Sequence, residues 1–135
     1  MRTEKLLIVA PCAFMTEGRR FVNLNGSHGH PHAYNAHMNE WLSRALIAAK
    51  NAKVQPVAPP VVITAFVHRT TNAHSDAHNV TPTIKACIDA AVKCGVIPDD
   101  NDGIVAALVI KRGANHVVPA ITIRIESVRQ TKDVA

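Results

Sequence analysis

The chain has 135 residues, 47% of them apolar and 19% charged, which suits one folded domain and excludes a disordered or membrane-spanning chain. Fifteen Lys and Arg against ten Asp and Glu give a net charge of +5, which points to a polyanionic partner. Aromatic residues are only 4%, which argues against a single-strand binder built on base stacking. The elements follow in chain order. Residues 4–10 (EKLLIVA) predict a first strand, their apolar run being too short for a signal segment or a membrane span. An intracellular protein without a membrane partner is therefore expected. Residues 14–30 read as a long polar loop ending in NLNGSHGH.

Pro31 suits the first turn of a helix, and Tyr34, Met38, Trp41, Leu42, Ala45 and Ala49 recur at helical spacing to about Lys53. After the Pro-broken stretch VQPVAPP, the β-branched run Val61 to His68 predicts a strand. A polar loop follows. A second helix is then marked by Thr81 as N-cap, Pro82 as first helical residue and Gly95 as its terminator. Its apolar stripe is Ile84, Cys87, Ile88, Ala91 and Val92, while Lys85 and Asp89 share a more polar side. GIVAALVIKR is apolar on both faces and reads as a central strand. The last strand alternates Ile121, Ile123 and Ile125 with Thr122, Arg124 and Glu126, and Pro119 favours an edge position for it. The fold class expected is α+β: a small mixed sheet of about four strands with two main helices in one domain, 1–135.

Three features bear on chemistry. The cysteines suggest buried, inert thiols: Cys87 and Cys94 lie about 10.5 Å apart along a helix, too far for a disulfide, and no C-x-x-C pair occurs. His28, His30, His32 and His37 could hold a transition metal but lack the partners of a closed site, so polar or phosphate contacts are the simpler expectation. The acids Asp76, Asp89, Asp99, Asp100 and Asp102 cluster around the second helix. Taken alone, PDDND is a solvated turn, because Asp and Asn are ordinary turn formers. Were the carboxylates to converge, they would call for a hard cation such as Mg²⁺ or Mn²⁺, and a basic domain would make a phosphodiester the natural substrate.

The stretch Asp76-Ala-His-Asn79, Pro82-Thr-Ile-Lys85-Ala86, Asp89, Gly95-Val96 and Asp99-Asp100 resembles the core signature of the RusA-like Holliday junction resolvases. The similarity is closest over residues 76–100 and weaker at Leu24-Asn25 and in the apolar strand after the acidic turn. This resemblance implies a RusA-like fold and a homodimer in the cytoplasm of a bacterium or of a phage-infected host. It implies Mg²⁺-dependent paired nicking of four-way or other branched DNA, with Mn²⁺ as an alternative ion. By position, Asp76, Lys85 and Asp100 match the catalytic residues, and Asp76, Asp99 and Asp100 the metal carboxylates. His78 stands where the best-known members carry a second acid, which makes it a candidate ligand. Asn79 and Lys85, with Arg19, Arg20 and the loop's single Arg69, are the candidate DNA contacts. Arg44, Lys50, Lys53, Lys111 and Arg112 are further basic candidates. A relative that binds branched DNA without efficient cleavage is the alternative reading, motivated by His78 and the Arg-poor loop. A histidine-liganded metalloprotein is a third.

Overall fold

The computed structural model describes residues 11–23, 31–73 and 77–128. Strand β1 (Cys12–Glu17) is followed by helix α1 (Pro31–Asn51) and strand β2 (Val61–His68). A one-turn 3-10 helix (Ala77–Val80) then leads directly into helix α2 (Thr81–Lys93), and β3 (Val105–Arg112) and β4 (Ala120–Ser127) follow. The result is the expected mixed α+β fold with four strands and two helices. The strand expected over 4–10 falls outside the described residues.

The sheet order is β1-β4-β2-β3. Strands β2 and β3 are parallel neighbours joined through α2, whereas β4 runs antiparallel to both β1 and β2. Rows of residues cross the sheet in register. Phe14, Ile123 and Ala65 share the face that meets the helices, and Cys12, Ile125 and Ile63 form the next such row. All six are buried. The opposite face carries the polar alternates, with Thr64, Arg124 and Ala13 in one row.

Helix α1 packs on α2 and on β1, and α2 lies over β4. Alanines are prominent on the buried faces of both helices, including Ala45, Ala49, Ala90 and Ala91. Cys87 is fully buried, and burial pushes its thiol up to about 12. It is the inert thiol the sequence suggests.

Three expectations need correction. Residues 12–17 form a strand, not the start of a loop, because Cys12, Phe14 and Thr16 alternate inward with period two. The last strand, β4, is central rather than an edge. Pro119 precedes it, and its carbonyl accepts from the Gly18 N–H at 2.9 Å, so no ladder donor is lost. Strand β3 is correspondingly an edge, despite its apolar sequence.

Helix α2 ends as expected. Gly95 takes φ +82°, its N–H donates to the Val92 carbonyl, and the Val96 N–H donates to the Ala91 carbonyl. Its start differs: Val80 is the N-cap, Thr81 is already helical, and the Thr81 hydroxyl donates back to the His78 carbonyl at 2.5 Å. The preceding 3-10 turn already supplies the entry that an N-cap side chain would otherwise provide. A Cβ on Gly95 would meet nothing, so Gly95→Ala isolates the backbone effect. It should cost about 1 kcal/mol through the left-handed φ alone, measured as a lowered denaturation midpoint with unchanged slope.

Candidate active site

Lys85 stands one helical turn before Asp89, so their side chains meet on one flank of α2, with Lys85 Nζ donating to Asp89 Oδ1 at 2.7 Å. The ammonium also donates to Asp100 Oδ2, from the turn after the helix. One lysine thus joins two carboxylates from two elements. The hydrogen bonds it donates to Asp100 and then to Asp89 raise the Lys85 pKa above its ordinary 10.5. The bond from Lys85 is the main cause lowering Asp100 below its ordinary 3.8. Lys85 is therefore a fixed cation at neutral pH, not a general base. The group is open to solvent, with side-chain exposures of 53% for Lys85, 40% for Asp89 and 31% for Asp100.

A cavity of about 350 Å³ adjoins it, bounded by Lys85 and Ile88 of α2, Asp100 and Asp102, and the first half of β3. Asp99 does not line it; its carboxylate accepts from the Asp100 N–H at 2.7 Å and from the Asn101 amide at 3.2 Å. His78 is exposed on the 3-10 turn. The neighbouring Asn79 has its Oδ1 buried without a hydrogen-bond donor. Asp76, Leu24, Asn25, His28 and His30 lie outside the described residues.

Among the described residues no three His, Cys, Asp or Glu side chains are grouped to hold a metal. The donors present fit a hard, water-rich ion rather than a closed cage. Mg²⁺ is commonly held by one or two carboxylates with waters and substrate phosphates completing its shell, and Asp100 on the cavity wall supplies an oxygen donor of that kind.

The basic candidates separate into two groups. Arg69 lies over the Phe21 ring at 5.1 Å, and Phe21 stacks on Trp41 with centroids 6.0 Å apart. Trp41 Nε1 donates to the Arg20 carbonyl at 2.7 Å. This stack brings Arg69 towards the adjacent pair Arg19 and Arg20, far from it in the chain. Arg19 is 79% exposed, with Glu40 at 3.8 Å. The patch is linked to the site by Thr83, two residues before Lys85. Its hydroxyl accepts from the Val22 N–H at 2.7 Å and donates to the Val22 carbonyl at 3.0 Å. Sequence reasoning missed Thr83; the only available signal was its place in the Pro-Thr that precedes the lysine.

Arg112 belongs to the second group. Its guanidinium donates to the Thr71 carbonyl at 2.5 Å and the Ala73 carbonyl at 3.3 Å, so it secures the loop that leads towards Asp76. Arg44 likewise pairs with Glu40, at 3.1 Å.

No protein-family model matches the chain, and no curated protein matches it in sequence at a significant level. Among the described residues, no helix is long and apolar enough to cross a membrane.

Three outcomes follow from this geometry. Thr83→Val leaves the buried Val22 N–H and carbonyl unpaired and should cost about 1–3 kcal/mol in chemical denaturation. In Lys85→Met, Asp100 should titrate closer to 3.8 by carboxyl ¹³C NMR, since its main stabilising donor is gone. The ion pair's contribution to stability should fade as pH falls through the lowered Asp100 value, below 3.8, and as pH rises through the raised Lys85 value, above 10.5.

Proposed function

We propose that the chain is a RusA-like, metal-dependent, structure-selective endonuclease that resolves Holliday junctions or other branched DNA and acts as a homodimer. The observation that carries this reading is the meeting of Lys85 with Asp89 and Asp100, of which Lys85 and Asp100 line an open cavity. A surface ion pair needs no cavity, and a buried structural pair would not be half exposed. An accessible cation between two carboxylates, next to a patch of arginines, suits a phosphodiester that must be both bound and attacked.

The reaction hydrolyses one P–O bond: water adds to phosphorus, and the sugar oxygen leaves with a proton. Asp100, with Asp76, would hold Mg²⁺, and Mn²⁺ is the alternative ion. When bound, such an ion polarises a phosphoryl oxygen and makes a bound water more acidic. Lys85 is protonated throughout and neutralises charge that builds on the non-bridging oxygens. Arg19, Arg20 and Arg69 hold the DNA backbone, which fixes shape rather than sequence. Asp89 positions the Lys85 ammonium.

A second reading is a branched-DNA binder with impaired cleavage. It is favoured by the absence of a three-ligand group among the described residues and by the exposed His78.

The test is a synthetic four-way junction incubated with the protein and Mg²⁺. Paired symmetric nicks are expected from the wild type. Asp100→Asn and Asp76→Asn should each lower cleavage roughly 100-fold or more while binding stays equal or tightens, because a charge repelling DNA is removed. Wild-type cleavage in either variant overturns the site assignment. Junction binding with no nicks in Mg²⁺ or Mn²⁺ selects the second reading.

A further inference from the structure

Ala120 opposes Glu17 on one side and His68 on the other, so Gly18, Pro119 and Arg69 follow as neighbours at one corner of the sheet. A second cavity, of about 250 Å³, opens at this corner, lined by Phe21, Arg69, Thr70, Thr71, Ala73 and Pro119. It is smaller than the roughly 300–1,000 Å³ of a site for a drug-sized ligand, and suits one flat ring system. Its walls are held from outside. Arg112 donates to the Thr71 and Ala73 carbonyls, the His116 N–H donates to the Arg69 carbonyl at 2.9 Å, and Phe21 is stacked on Trp41. The cavity is therefore formed before any ligand arrives.

The lining narrows the ligand. Phe21, Pro119 and Ala73 are apolar, while Arg69 lays its guanidinium over Phe21 at 5.1 Å. Thr71 Oγ1 accepts from the Ala73 N–H at 3.3 Å, which leaves its O–H able to donate, and Thr70 adds a second hydroxyl. A phosphate would lose hydrogen bonds against the apolar walls, and an aliphatic chain would leave the donors unpaired. A nucleobase answers both: it has apolar faces and a polar edge, and it stacks on a guanidinium plane. Beside the cavity, two residues before Pro119, stands Val117, 85% exposed and the most exposed large apolar side chain among the described residues. A lone exposed valine ordinarily carries no meaning. This one sits on a braced loop: His68 donates to the Ala114 carbonyl at 2.8 Å, the Asn115 amide donates to Asn72 at 2.5 Å, and His116 pairs with Glu17. A fixed apolar point next to a base-sized cavity, with Arg19 and Arg20 just before Phe21, suits entry into a break in base stacking.

We propose that this corner binds one unstacked base of the DNA: Val117 enters the stack, and the base turned out lodges in the cavity beside Arg69. The base site rests on the branched-DNA part of the proposed function and not on cleavage. Turning a base out costs least where pairing or stacking is already broken, as at a branch. The cavity is also tied to the Lys85 group. Phe21 precedes Val22, and Val22 is held by Thr83, two residues before Lys85. A lodged base therefore fixes which stretch of backbone reaches Lys85, and so how far from the branch the strand is cut.

The experiment omits metal, so nothing is cut. A four-way junction carries fluorescent 2-aminopurine at one position at a time, and the full chain is titrated in while brightness and anisotropy are read. The wild type should brighten the probe at the branch and not within the arms. Val117→Ser should lose that rise. So should Ala73→Leu, whose longer side chain fills the cavity while the backbone bonds of residue 73 remain. Each should weaken junction binding roughly tenfold and leave binding to fully paired duplex unchanged, because only the branch offers a base at low cost. Far-UV circular dichroism checks the fold, and the two variants lie on different segments, so either decides if the other misfolds. Junction binding without a rise at any branch position, or a rise that both variants keep, overturns the proposal and leaves the nuclease reading standing. Equal losses on junction and duplex also overturn it, since they mark backbone contacts. A rise that the variants lose, in a protein that never nicks with Mg²⁺, keeps the base site and overturns the cleavage. No junction binding at all overturns both.

Discussion

The structure depends on where its helix layer stops. Inward side chains of β1, β4 and β2 are buried beneath α1 and α2, whereas on β3 Leu108 and Arg112 are exposed and Val105 and Ile110 are only partly buried against the core. Helix α2 connects the parallel strands β2 and β3 yet leans over β4. A gap therefore remains between the flank of α2 and the start of β3. Lys85 projects into that gap from the helix, and the turn leading into β3 brings Asp100 to meet it. The same displacement that opens the cavity leaves β3 bare.

Two small devices hold the surroundings of that gap in place. Thr83 uses one hydroxyl to satisfy both backbone groups of Val22, which secures the loop of Arg19 and Arg20 to the beginning of α2. Arg112 reaches from the end of β3 to carbonyls of the loop after β2. Both bonds link segments far apart in the chain. The basic patch, the lysine and the acidic turn therefore keep a common frame, although none belongs to the same element. The Phe21–Trp41 stack serves the same end, and Gly18 permits it: a Cβ there would collide with the indole.

Much of the fold was legible. The limits of β2 and the start of α1 are written in β-branched runs and a helix-opening proline, and Gly95 marks the end of α2 through the one backbone conformation it alone adopts easily. The Lys85–Asp89 contact follows from helical spacing. The strand order was not legible, and the reason is instructive. VAALVIKR is apolar enough to be a central strand, yet among the described residues it is an edge. Conversely, Pro119 suggested an edge for a strand that it merely precedes. The contact of Lys85 with Asp100 also lay beyond sequence reasoning, because a pairing across fifteen residues depends on how the turn after the helix folds back. Acidic spacing alone described a solvated turn equally well.

The central proposal is that Asp100, held beside Lys85, belongs to the cation-accepting centre of the molecule. Paramagnetic Mn²⁺ titrated into ¹⁵N-labelled protein tests it most directly. The account predicts that amide signals of Asp89, Asp100 and Lys85 broaden first, at substoichiometric metal, while those of Glu17 and His116, which pair with each other far along the chain, stay sharp. Broadening centred on Glu17 and His116, or none near Asp100 at millimolar metal, would contradict it.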